Sequence, residues 1–170
     1  PSYGTIKQTI ESIKIPVFVM IRMNAGFTCT HQEFLAMLDD IKICVELNAA
    51  GVVFGILNDA GAIDYQRMQK LALAAGSLNI ICHRVIDEIE KPWLELPNLK
   101  SIGISHILSA GGHGTVFDGK NTLSKLYESC CDNNIKLTAA GKITTDNLSQ
   151  VKQEITAHAY HGRAIVNLDK

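Results

Sequence analysis

The densest chemistry in the chain lies at Cys82, His83, Arg84 and Asp87, which follow the apolar pair Ile80-Ile81. A thiol, an imidazole, a guanidinium and a carboxylate at the end of an apolar run deliver polar groups to the rim of a sheet. Other apolar runs end in polar or glycine-rich residues too: Arg22, Asp59, Ser109 to Gly114, Gly141-Lys142, and His161 with Arg163. Arg22 and Arg84 suit paired hydrogen bonds to an anionic ligand, with Ser109, Gly111, Gly141, Lys142 and His161 around it. His83 or Asp87 would then exchange a proton with that ligand. The competing reading of the same residues is an Arg–Asp ion pair that closes the rim, with His83 hydrogen-bonded inside. Because side chains alternate along a strand, His83 and Arg84 cannot both point squarely inward.

Two further sites can be written down. Soft Cu(I) prefers thiolate and thioether, then imidazole, and Cys82, His83, Met20 and His161 sit on strands that could converge. The adjacency of Cys82 and His83 argues against both holding one ion, and a buried Cys82 that only fills space is the plainer reading. Gly141-Lys142-Ile143-Thr144-Thr145 is expected to open a helix and offer backbone N–H groups to phosphate, against a reading as a turn glycine with a solvated lysine. His31 and His113 read as surface residues.

The elements that must position these groups alternate. Thr5 to Lys14 carries Ile6, Ile10 and Ile13 at helical spacing, and Val17 to Ile21 is an apolar strand. Thr30 and Glu33 form a capping box for a helix bearing Phe34, Leu38, Ile41 and Val45. Residues 52–57 read as a strand and Asn58 to Gly61 as a turn. Asp64 caps a helix with Met68, Leu71 and Ala75, which Gly76 closes. Leu78 to Cys82 is the third strand. Pro92 suits a helix start, whereas Pro97 is expected to break any helix running to Ile102. His106 to Ser109 and Lys136 to Ala139 are strands around a helix with Leu123, Leu126, Tyr127 and Cys130. A helix with Leu148, Val151 and Ile155 precedes a sixth strand over 158–165, and the tail is too short to add more. Apolar strands joined by helix-length connections are parallel βαβ units, in a doubly wound sheet or a (β/α) barrel. A ring of strand-end polar loops favours the barrel, which has eight strands where six are visible.

A chain of 170 residues is expected to be one domain over 1–170. Its 46% hydrophobic content supports a core, and a net charge of −1 gives no footprint for nucleic acid or an anionic membrane. No apolar run reaches the roughly 20 residues of a membrane span. Pro1 to Gly4 lacks the features of a signal peptide, and the missing initiator Met leaves an upstream segment open. Five cysteines, an odd number with no C-x-x-C pair, suit reduced thiols. Cys44 and Cys130 fall on apolar helical positions.

Several stretches resemble the CutC copper-homeostasis family. Ile15-Pro16-Val17-Phe18-Val19-Met20-Ile21-Arg22 is similar to that family's third strand, and Cys82-His83-Arg84-Val85-Ile86-Asp87 to its Phe-His-Arg-Ala-Phe-Asp. Ile107-Leu108-Ser109-Ala110-Gly111 resembles Val-Leu-Thr-Ser-Gly, and Tyr160-His161-Gly162-Arg163-Ala164 the closing His-containing strand. The resemblance implies a (β/α) barrel in the cytoplasm that handles copper. It also implies that the first two family strands, with the cysteines tied to Cu(I) and a rim Glu, are absent here. The chain would be a fragment or a shortened, degenerate member. The family's Gly-Gly-Gly becomes Ala140-Gly141-Lys142, and its Cys-Ser or Ser-Ser becomes Gly162-Arg163. Met23-Asn24-Ala25-Gly26 replaces Pro-Arg-Gly-Gly-Asp. The functions to weigh are therefore binding of copper or a copper complex, acid–base catalysis on a small anionic or phosphorylated metabolite, and a scaffold without a site. An incomplete barrel exposes two edges, so an open barrel, or closure by a second copy in a homo-oligomer, is expected.

Overall fold

The structure is a computed structural model that describes residues 1–166; residues 167–170 of the tail lie outside the described residues. Helix α1 (Tyr3–Ser12) leads into strand β1 (Phe18–Met20), then α2 (His31–Glu46), β2 (Gly51–Phe54), α3 (Tyr65–Ala75) and β3 (Asn79–Cys82). After α4 (Leu96–Ser101) come β4 (His106–Ser109), α5 (Lys120–Asp132), β5 (Lys136–Ala139), α6 (Leu148–Glu154) and β6 (Ala159–Tyr160). The expected caps form. Thr30 and Glu33 close a reciprocal box on α2, and the Asp64 side chain accepts from Arg67 N on α3. Among the described residues no helix is long and apolar enough to cross a membrane.

All six strands are parallel and stand in the order of the chain, β1 to β6. A doubly wound sheet would reverse its order at a switch point. A sheet that always adds the next strand on the same side curls into a (β/α) barrel. The curvature is visible in one contact: the rings of Phe18 on β1 and His106 on β4 meet at 6.4 Å, although three strand steps span about 14 Å on a flat sheet.

Strand parity divides most of the sheet, Val53 being buried although it shares the face of Phe18 and Met20. Val19, Val52, Phe54, Ile80, Cys82, Ile107, Leu137 and Ala139 are buried on the convex face under the helices. On the concave face Phe18 and Met20 are 38% and 40% exposed, and Ile81, Leu108 and Thr138 are half-buried. The helix layer thus completes one side of the sheet, and the incomplete ring leaves the other partly open.

Three local expectations change. Pro97 does not break a helix but stands in the first turn of α4, where its missing N–H is no loss. The strand expected over 52–57 ends at Phe54, because Leu57 N turns to the Phe27 carbonyl and Leu57 bridges Ile63. The strand expected over 158–165 is only Ala159–Tyr160, because Ala164 pairs instead with Thr144 and Thr145 in the β5–α6 loop.

Candidate functional site

Strand β3 stops at Cys82, and Arg84–Glu88 forms a 3-10 turn capped by the side chain of His83. Alternation therefore ends at His83, and Arg84 is placed by the turn rather than by strand parity. The turn brings Asp87 back beside Arg84, whose Nε donates to Asp87 Oδ2 at 2.7 Å. Asp87 is 7% exposed and also accepts from Ser109 Oγ and from Ala110 N at 3.0 and 3.2 Å. Arg84 is tied a second time through Nη2 to the Gly112 carbonyl, 2.8 Å away. A buried carboxylate thus joins the ends of β3 and β4 and holds a guanidinium whose Nη1 has no partner among the described residues. The ion pair of the competing reading exists, and it orients Arg84.

His83 is 2% exposed, and its Nδ1 accepts from Val85 N at 3.1 Å. The ring proton therefore resides on Nε2, which has no partner among the described residues. Such an orphan donor costs about 1–3 kcal/mol. Burial first, and the charge of Arg22 second, push its pKa down to about 4. At neutral pH it is an uncharged donor, covered by the Phe27 ring with 5.3 Å between centroids. Because the folded pKa lies below the ordinary 6.5, the unfolded chain binds more protons between those values. Stability is fully present above pH 6.5 and falls as pH drops toward about 4. Urea titrations at several pH values will show that slope in the native protein and a flatter one in His83→Asn.

Arg22 does not join Arg84. Its Nε donates to the Gly26 carbonyl at 3.0 Å, its Nη2 bonds the Ala25 carbonyl, and its guanidinium lies 4.5 Å over the Phe27 ring. Ser109 and Gly111 likewise face inward: Gly111 N donates to Ser109 Oγ, which serves Asp87. Cys82 lies under the helix layer, fully buried, and burial raises its thiol pKa to about 12. Thus Cys82 is neither a ready thiolate nor on the same side as His83. Among the described residues no three His, Cys, Asp or Glu side chains are grouped to hold a metal ion.

What does converge is Arg84, Gly141, Lys142 and His161. They line a cavity of about 510 Å³ together with Ile143, Thr144 and Arg163. Among the described residues no carboxylate is in its lining. The helix expected to open near Lys142 begins only at Leu148, and the N–H groups of Thr144 and Thr145 are taken by Asn147 Oδ1 and the Ala164 carbonyl. Side-chain cations, not a helix terminus, give the cavity its character. Arg163 was visible in the sequence as a strand-end cation, but nothing local placed it on the same cavity as Arg84. The covering of His83 by Phe27 had no sequence signal at all.

Comparison with known proteins agrees with this architecture. The CutC family model matches residues 1–166. A CutC family protein of Xylella fastidiosa strain Temecula1 is 32% identical over 165 residues, covering 96% of this chain and 61% of its own length. A CutC family protein of Salmonella heidelberg is 37% identical over 127 residues, 74% of this chain and 51% of its own length. The chain thus spans about half to three-fifths of these relatives. The crystal structure of a Streptococcus agalactiae protein, named for copper homeostasis as CutC, superposes with a TM-score of 0.90 at 29% identity, over 98% of this chain and 82% of that one. Deoxyribose phosphate aldolase from Aeropyrum pernix, at 12% identity and a TM-score of 0.73 over 96% of this chain and 70% of its own, shares the fold alone. Family profile, relatives and fold coincide: the chain belongs to the CutC family.

Proposed function

We propose that the chain serves copper homeostasis, the role carried in the name of its structural relative, by binding a small anion at its strand-end rim, copper arriving there as an anionic complex. The observation that carries this reading is Arg84, fixed by Asp87 and the Gly112 carbonyl on the wall of a cavity lined by Lys142, His161 and Arg163. The described residues do not fit bare Cu(I), because Cys82 is sealed and protonated and no soft-ligand group converges among them. The acid–base alternative draws less support, since Asp87 and His83 Nδ1 are spent on internal hydrogen bonds. The five free cysteines support a reducing, cytoplasmic setting.

An anaerobic Cu(I) competition titration tests this directly. The chain is expected to compete no better than a control protein, and Cys82→Ser to behave identically. Tight Cu(I) binding that Cys82→Ser abolishes would overturn the reading. We further propose that a second copy covers the open concave face, a reading supported by the exposure of Phe18 and Met20 beside the free edge of β1. Light scattering at high concentration is expected to give more than the monomer mass, and a strictly monomeric species would contradict it.

A further inference from the structure

Two of the cations on the cavity, Lys142 and Arg163, sit on the loops that follow β5 and β6. Their loops are locked to each other. Gly162 packs so tightly on the Ile143 carbonyl that no Cβ fits between them. Thr144 and Ala164 form a parallel bridge, and the Ala164 carbonyl accepts from Thr145 N at 2.8 Å and Thr145 Oγ1 at 2.9 Å.

Gly141 is equally confined, because a Cβ there would sit 2.8 Å from both Ala110 Cβ and Val116 N. It fixes the backbone that carries Lys142, whose own φ is 57° and whose carbonyl accepts from Asn147 Nδ2 at 3.0 Å. Asp118, near enough to feel the Lys142 charge, accepts from Thr115 N and Oγ1 at 2.8 and 2.6 Å. Arg84 lines the same cavity, with two of its five donors spent on acceptors among the described residues.

One fixed cation suffices for a monocarboxylate, whereas three on one cavity match a dianion. A phosphate monoester carries about −1.5 to −2 charges at neutral pH and three strong acceptor oxygens. Ala140, Ile143 and Ala164 give the same cavity an apolar wall, and its volume of about 510 Å³ exceeds the needs of a bare anion. We propose that this cavity binds a phosphate monoester of a small organic molecule, its phosphate between Arg84, Lys142 and Arg163 and its carbon part along Ile143. This assignment rests on the anion-binding reading above: at the same cations a phosphate ester is the tighter ligand and an anionic copper complex the weaker one.

Calorimetric titration of the full chain with glycerol 3-phosphate, acetate and a copper(I)–glutathione complex, at constant ionic strength, tests it. Glycerol 3-phosphate is expected to bind at least about tenfold more tightly than acetate, and about tenfold more weakly to each of Lys142→Gly and Arg163→Ser, the size of one charge-assisted contact. Glycine suits the backbone at 142, and position 163 is exposed, so both variants are expected to keep the native circular dichroism and melting midpoint. If acetate or the copper complex binds as tightly as the ester, or both variants bind the ester unchanged, the phosphate assignment falls and anion binding survives. If none of the three binds, both fall together.

Discussion

Asp87→Ala is expected to lower stability by about 3 kcal/mol, measured by urea unfolding. Its carboxylate serves three donors from two strand ends: Arg84 Nε, Ser109 Oγ and Ala110 N. Ser109 and Ala110 are both fully buried, and each donor left without an acceptor costs about 1–3 kcal/mol. The Arg84 side chain is 40% exposed, so water replaces much of its lost ion pair and that bond adds little. Asp87→Asn keeps an acceptor oxygen for Ala110 N and should recover at least about 1 kcal/mol of the loss. A loss below about 1 kcal/mol in Asp87→Ala would mean that this carboxylate does not organise the rim.

Gly119→Ala should cost about as much, roughly 3 kcal/mol, the upper end for overpacking. Gly119 begins α5 with an ordinary φ of −86°, so conformational freedom is not the issue. A Cβ there would overlap the Ala110 carbonyl oxygen and come within 2.7 Å of Gly111 Cα. The loop that must yield is the one whose Gly112 carbonyl holds Arg84, so the variant should also loosen Arg84. Gly4→Ala is the matched control. It lies in α1 with nothing within 4 Å of a new Cβ, and is expected to stabilise the protein by about 0.5–1 kcal/mol. Thermal or urea unfolding of the two variants in parallel checks both signs.

The architecture was legible because the strands' convex faces are largely apolar and α2 and α3 carry their caps in the local sequence. Thr30 with Glu33, Asp64 and Gly76 needed no tertiary information. The ends of elements were not legible, because partners distant in the chain decide them. Ala164 leaves the last strand to pair with Thr144 and Thr145, and Pro97 starts a helix because a 3-10 turn at Pro92–Leu94 delivers it there.

The site divides the same way. Arg84, Gly141, Lys142 and His161 could be chosen as strand-end residues and do meet on one cavity. Arg22 looked equivalent, yet the loop after β1 folds back and its carbonyls take the guanidinium. Strand parity does not reach Arg84, because Val85 N bonds His83 Nδ1 where the chain turns out of the sheet. Nor could residue types alone say that Cys82, next to His83, is sealed beneath helices.

The most direct test of an anion-binding rim is to map amide chemical shifts of the full chain as the copper(I)–glutathione complex is added. The predicted changes cluster at Arg84, Gly141 to Thr144 and His161 to Ala164, and they vanish in Arg84→Ala. Changes centred on Cys82, with copper transferred to its thiolate, would contradict the account.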